Sequence, residues 1–446
     1  MEPVKIPADA AVLEDGHYLD HLATVNQSRG VTATEDILNS QGALITRQGA
    51  RLDHGATQRI AKHKLSKPLE HQIQIEGTIT TRILAEKFAL LSQQYPDLGA
   101  LHQKLDFDAD FQALLTREPP NPVITQKLTV LHLQQPPLFG QALFGLWLAM
   151  LIARELGLPR HEIHMAGMAA LIRDLGFLHL PQDVVAKGGS FTADEWRAMQ
   201  GHVVIGQIIA QDVATLHPHI ARAVLEHHEH SDGTGYPAAR EGDQLGLFGQ
   251  IVGMSDRLGA MRLKLFGTSG RNLRDTEPML LMNSAASNRA VYEAVCALLR
   301  KSGLERTSIN PLGDLPALLE QLKTRGAKMN SALPILSRLS MVTQTTKPGP
   351  AIIKLRRVAA QTQHLMSSSG LVSGEIIAWL EGLQRDTQPA ENPFLCEMEL
   401  LQNELSWHLK RLGHALDVFL ALPGEHTHRA EISALAHKLH ELLGTH

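Results

Sequence analysis

Apolar positions along this chain recur mostly at helical spacing, with one exception near the start. In residues 31–70 two short apolar runs flank Gln41-Gly42, and Gly49 follows the second. That pattern predicts a small β-hairpin leading into a helix at about 55–63. Residues 78–116 carry Leu, Ile and Phe at helical spacing, and the prolines of REPPNP (117–122) predict a linker. From 123 to 265 helix follows helix, with expected spans at 140–156, 162–175, 192–210, 218–229 and 246–263. Breaks rich in Gly, Pro or charge come at 267–275 (GTSGRNLRD), 347–350 (KPGP) and 385–393 (RDTQPAENP). From Phe394 a long amphipathic pattern begins. The expected fold is mainly α: a helical core with a small α+β N-terminal module and a helical C-terminal extension. The expected boundaries are 1–75 for the module, 76–122 for a helical connector, 123–266 for the central domain, 267–346 for a helical region and 347–446 for a C-terminal bundle. The apolar stripe of the tail reads either as a bundle face or as a homodimer seam.

A length of 446 residues admits about two to four domains. With 43% hydrophobic and 20% charged residues the chain can bury a core, which excludes a wholly disordered protein. Acidic residues number 46 against 42 basic, a formal charge of −4, which argues against charge-driven binding to long nucleic acid. The two cysteines, Cys296 and Cys396, lie far apart and exclude a disulfide scaffold or a CxxC site. The start of the chain lacks the basic and apolar regions of a signal peptide. Pro136–Ala153 carries no charge, but it is short for a membrane span and reads better as the central helix of a helical core. A cytoplasmic protein with no membrane span is expected. Histidine, at 24 residues, is the abundant type with chemical potential.

The most informative segment is His227-His228-Glu229-His230-Ser231-Asp232-Gly233-Thr234-Gly235-Tyr236-Pro237. Adjacent histidines reach one metal only if the helix carrying them ends there, and the glycines that follow supply such an ending. Gly-Tyr-Pro then makes a stiff turn. This string resembles the HD-GYP signature, HHExxDGxGYP, at every fixed position. The resemblance extends over roughly 125–265. Leu156-Gly157-Leu158 matches the family's LGL turn, and the segment Ala169–Pro181 aligns with AALLHDIGKIGIP. The run from Lys187 to Glu195 is similar to KPGxLTxEE, Met199–His202 to MKxH, and Gln250–Asp256 to RIlaVAD.

The resemblance implies an all-helical HD-domain core and a metal-dependent phosphodiesterase acting on cyclic di-GMP. Two metals suit such a reaction, because they activate water and relieve charge on the phosphoryl oxygens. Carried over residue by residue, the family's first His falls on Gln141, and the His of the doublet on Arg173 with its Asp on Asp174. The third His is His202, the pair is His227 and His228, and the late Asp is Asp256. The family's lysine after the doublet falls on Phe177, the arginine of RIlaVAD on Gln250, and a second Asp on Gly259. One ion would thus keep Asp174, His202, His227 and His228. The other would keep only Asp256 and a share of Asp174, since a guanidinium has no lone pair to offer.

These substitutions imply one divalent transition ion (Fe, Mn, Ni or Zn) or none, with Arg173 and Asp174 as the candidate catalytic pair. Arg173 is expected to sit in the vacated position and pair with Asp256. Glu229, Asp232, Gly233, Gly235, Tyr236 and Pro237 read as structural elements or as the loop by which the family is proposed to meet GGDEF partners. The ligand would be cyclic di-GMP or its linear product. The alternative to an impaired phosphodiesterase is a non-catalytic nucleotide sensor or adaptor acting through that loop and the helical tail. His161, His164, His179, His217, His219, His426, His428 and His446 receive no role.

Overall fold

The computed structural model describes residues 16–117, 121–187, 191–307, 309–310, 313–346, 349–383, 393–422 and 428–444. Residues 118–120 of REPPNP, 347–348 of KPGP and 385–392 of RDTQPAENP lie outside these, as do 188–190, His426 and His446.

The N-terminal module is α+β. Helix α1 (Gly16–Val25) precedes β1 (Val31–Ala33), β2 (Ile37–Leu38) and β3 (Leu44–Thr46). Then come α2 (His54–Ala61) and β4 (Ile73–Ile75). The expected hairpin is present as β2–β3, with Gly42 at φ +82° in its turn and Asn39 Oδ1 accepting from the Gln41 and Ala43 amides. Asp53 caps α2 by accepting from Ala56 N at 2.7 Å, which fixes where that helix starts. A second pairing joins β1 to β4, with Val31 opposite Ile75 and Ala33 opposite Ile73.

The connector helices are α3 (Thr81–Gln94), α4 (Pro96–Lys104) and α5 (Asp108–Arg117). The central domain follows as α6 (Pro122–Gln134), α7 (Pro136–Glu155), α8 (Arg160–Ile172), α9 (Gln182–Ala186), α10 (Ala193–Asp212), α11 (Pro218–Glu226) and α12 (Leu247–Gly259). Helix α7 alone among the described helices is long and apolar enough to cross a membrane, yet 78% of its apolar window is buried against its own domain. Trp147, Phe144 and Leu151 on it are fully covered. It packs on α6, α8, α12 and α14 (Arg289–Lys301), the last of which follows the short α13 (Glu277–Met282).

Three expected helices end differently. The 162–175 span stops at Ile172 and tightens into a 3₁₀ turn at Leu175–His179. The 218–229 span stops at Glu226, before the two histidines rather than at the glycines. The 246–263 span is α-helical only to Gly259 and widens into a π-helical turn at Ala260–Phe266.

The C-terminal extension is α15 (Leu315–Thr345), α16 (Pro350–Ser368), α17 (Gly374–Leu383), α18 (Pro393–Ala421) and α19 (Arg429–Leu443). One apolar core runs from Tyr18 to Leu299, and a second from Leu318 to Leu439. The stripe of α18 that read as a bundle face or a dimer seam (Leu405, Leu409, Leu412, Leu416) is buried in this second core within the chain.

One polar joint matters for the site. Buried Lys127 of α6 reaches Glu70 Oε1 at 2.7 Å and His179 Nε2 at 3.1 Å, and lies over the Tyr18 ring at 3.8 Å. Burial, then Lys127, holds the His179 imidazole well below its usual pKa, so it is neutral and accepts from the lysine. The N-terminal module thereby pins the 3₁₀ turn that follows Asp174.

Candidate metal centre

Four elements converge on one point of the central domain. Arg173 caps the C-terminus of α8, and Asp174 begins the 3₁₀ turn beyond it. His202 lies in mid-α10, His227 and His228 follow the last residue of α11, and Asp256 lies in α12. Helix α10 starts at a capping box, Thr192 with Glu195, which sets the register that brings His202 inward. Ring nitrogens of His202, His227 and His228 lie within 4.8 Å of one another.

The imidazoles are held from behind. His202 Nδ1 bonds the Met199 carbonyl at 2.5 Å, and His227 Nδ1 bonds the Val224 carbonyl at 2.7 Å. Those carbonyls accept only from an N–H, so each ring carries its proton on Nδ1 and presents a bare Nε2. Both Nε2 atoms are buried without a hydrogen-bond partner. Each sits 3.8 Å from Asp174 Oδ1. Lone pairs facing a carboxylate repel it unless a cation lies between them, so this donor set fits a divalent transition ion.

Protonation states agree. Burial, then His227, pushes His202 down to about 4. Burial also lowers His227, and it lowers His228 well below the usual range. Burial pushes the Asp174 carboxyl up, but Arg173 and then the imidazoles outweigh that and leave it below its ordinary value. Phe177, where the family has lysine, stacks flat on His202, with centroids 4.0 Å apart at 14°. Tyr236 stacks on His228 at 4.7 Å.

The opposite side of Asp174 is occupied by a guanidinium. Arg173 is fully buried. Its Nε lies 3.2 Å from Asp174 Oδ2 and from Asp256 Oδ1, and its Nη2 is 2.9 Å from Asp256 Oδ1. Nη1 donates to the Ala170 carbonyl at 2.7 Å, and Nη2 also to the backbone carbonyl of Gln141 at 3.3 Å. Burial alone would lower this arginine's pKa; Asp174 and Asp256 reverse that and keep it above its ordinary value. The expected pairing of Arg173 with Asp256 is present in this structure. Sequence reading missed the space that admits it. A Cβ on Gly145, one helical turn beyond Gln141, would lie 2.3 Å from Arg173 Nη1. The i, i+4 spacing from Gln141 was the signal that pointed there.

The loop after the His pair is folded by its own polar residues. Glu229 accepts from the Ala238 and Arg240 amides at 2.6 and 3.1 Å. Asp232 accepts from Thr234 N at 3.0 Å and Oγ1 at 2.6 Å. Gly233 has φ +71°. Gly235 is required for another reason: a Cβ there would sit 2.4 Å from the His228 carbonyl. The peptide between Tyr236 and Pro237 is cis. Gln250 accepts from Ser231 Oγ at 3.3 Å, tying the loop to α12.

The far side of this loop meets the C-terminal helices. Gln361 of α16 donates to Asp232 Oδ2 at 2.5 Å, and Arg357 pairs with Glu241 and donates to the Ala239 carbonyl at 3.3 Å. Arg411 of α18 donates to Gln361 and lies 3.4 Å from His230 Nδ1. Nothing in the sequence pairs residues so far apart.

Comparison with known proteins finds a family match over the central helices. Residues 127–291 match the HD domain family. That match, with the names of the relatives, supports the resemblance of the central domain to the HD-GYP family. It is 33% identical over 114 residues to the cyclic di-GMP phosphodiesterase response regulator RpfG of Xanthomonas campestris, covering 25% of this chain and 30% of that protein. It is 31% identical over 116 residues to a cyclic di-GMP phosphodiesterase of Thermotoga maritima, covering 26% and 32%. It is 33% identical over 111 residues to the 3'3'-cGAMP-specific phosphodiesterase 3 of Vibrio cholerae, covering 25% and 24%. The matched stretch thus spans about a third or less of each relative's length.

Proposed function

We propose that this chain is a cyclic-dinucleotide signalling protein of the HD-GYP phosphodiesterase type, with one metal position and impaired hydrolysis. The observation that carries this reading is the buried guanidinium of Arg173, 2.9 Å from Asp256 and 3.2 Å from Asp174. Those carboxylates are the ones a second ion would need. Asp174, His202, His227 and His228 would hold one ion of the Fe, Mn, Ni or Zn type. When bound, such an ion withdraws charge from a phosphoryl oxygen and acidifies water.

The rest falls to the protein. Asp174 is held anionic by Arg173 and orients toward both ring Nε2 atoms. Arg173 neutralises the two carboxylates but stays protonated and carries no proton away. Phe177 leaves no cation where the family's lysine would meet phosphate. The relatives' names, cyclic di-GMP and 3'3'-cGAMP phosphodiesterases, support a cyclic dinucleotide as ligand, with cyclic di-GMP or its linear product as the first candidates.

The test is the double reversion Gln141→His with Arg173→His. It is expected to gain a second metal per chain and a clear rise in cyclic di-GMP turnover. A variant still at one metal with unchanged turnover would contradict the reading.

A non-catalytic sensor or adaptor is the second reading. It is favoured by the contact of Gln361 with Asp232, which links the loop to a region with its own core. A GGDEF-type partner docking on this loop would compete with α16 for Asp232.

A further inference from the structure

We infer that an aromatic strip beside the centre, running from Tyr236 through Trp196 to His414 and Phe191, receives a purine base of the bound dinucleotide. The C-terminal helix α18 then supplies part of the ligand site. The inference rests on the cyclic-dinucleotide reading above and assigns it a base subsite.

The strip starts at a candidate ligand. Tyr236 lies 4.7 Å from His228 at 25°, and Trp196 lies 6.3 Å from Tyr236, edge on. His414 of α18 stacks on Trp196 at 5.0 Å and 13°. Phe191 closes the group, 5.9 Å from Trp196 and 6.5 Å from His414.

Aromatic residues are only 4% of this chain. Three of them gather here, and none belongs to either large apolar core among the described residues. All of these rings stay half-buried rather than covered. Rings that stay partly accessible beside a candidate ligand site can meet a ligand's base. Of the three histidines His228 alone is not fully buried, so the nucleoside of a phosphodiester held there would leave on its side. Two ring-to-ring steps, of 4.7 and 6.3 Å, link that histidine to Trp196. Bases stack on aromatic faces in a sequence-tolerant way, and imidazole and indole both serve.

The competing explanation is that Trp196 and His414 merely join α10 to α18. The two explanations differ in what a ringless anion feels. The test uses the full-length protein loaded with Mn2+. Cyclic di-GMP binding is followed by calorimetry and by tryptophan fluorescence, and inorganic phosphate binding by Mn2+ electron paramagnetic resonance. Trp196→Ala is expected to weaken cyclic di-GMP binding about tenfold or more. His414→Ala is expected to weaken it severalfold, and Trp196→Phe to restore most of the affinity. Mn2+ content and phosphate binding stay unchanged in all three.

Cyclic di-GMP affinity within about twofold of the parent in His414→Ala and Trp196→Ala, with no fluorescence change on binding to the parent, would overturn the base subsite and leave the dinucleotide reading standing. A parent that binds phosphate but no cyclic di-GMP would overturn the dinucleotide reading itself, and the subsite with it.

Discussion

The two flanks of Asp174 solve the same electrostatic problem in different ways. On one flank, three neutral imidazoles converge, two of them with buried nitrogens that lack a hydrogen-bond partner. On the other, a guanidinium satisfies Asp174, Asp256 and two backbone carbonyls at once. The first flank has bare donors to offer a cation. The second is complete already. A ligand lost by decay would leave an empty or solvated space; here the replacement is fully buried, and Gly145 leaves it room. The comparison teaches that, on the proposed reading, the second metal position has been filled by a built ion pair rather than simply vacated.

The contrast can be broken most forcefully at the arginine. Arg173→Ala removes the cation between two buried carboxylates and should cost about 3–5 kcal/mol of stability, read by urea unfolding in chelator. Added Mn2+ should recover part of that loss only in this variant, because its carboxylates become available.

Next is acid. The folded protein holds His202 near 4 against an ordinary 6.5, with His227 and His228 also lowered. Below about 6.5 the unfolded chain takes up protons that the folded chain refuses, so metal-free stability falls as pH drops from about 6.5 toward about 4. His202 alone accounts for up to roughly 3 kcal/mol over that window. A flat stability curve there would mean the imidazoles are solvated. His227→Ala should lower Mn2+ affinity about a hundredfold or more, measured by calorimetry, whereas Gln141→Ala should change it little.

The smallest effect sharpens the comparison most. Gly145→Ala should cost about 1–3 kcal/mol with Arg173 in place and much less in an Arg173→His background, a coupling that a double-mutant cycle reads directly.

Much of this centre was legible in the sequence. The run His227–Pro237 carried the family resemblance, and charge complementarity anticipated Arg173 with Asp256. The mainly helical fold followed from spacing, and the Gln41-Gly42 hairpin from its turn residues. What could not be read were contacts between distant segments. Strands β1 and β4 have three residues each, too few to show alternation, and are some forty residues apart. The helix before His227 stops at Glu226 because the chain must fold back into the loop held by Glu229, not because a glycine follows. The packing of α16 on Asp232, and of His414 on Trp196, joins segments with no local signal.

The most direct test is the metal content of the unaltered, full-length protein at saturating Mn2+, measured together with its cyclic di-GMP turnover. One ion per chain, lost in His227→Ala, with turnover far below that of the Gln141→His/Arg173→His variant, is the predicted result. Two ions per chain with rapid turnover in the unaltered protein would contradict the account.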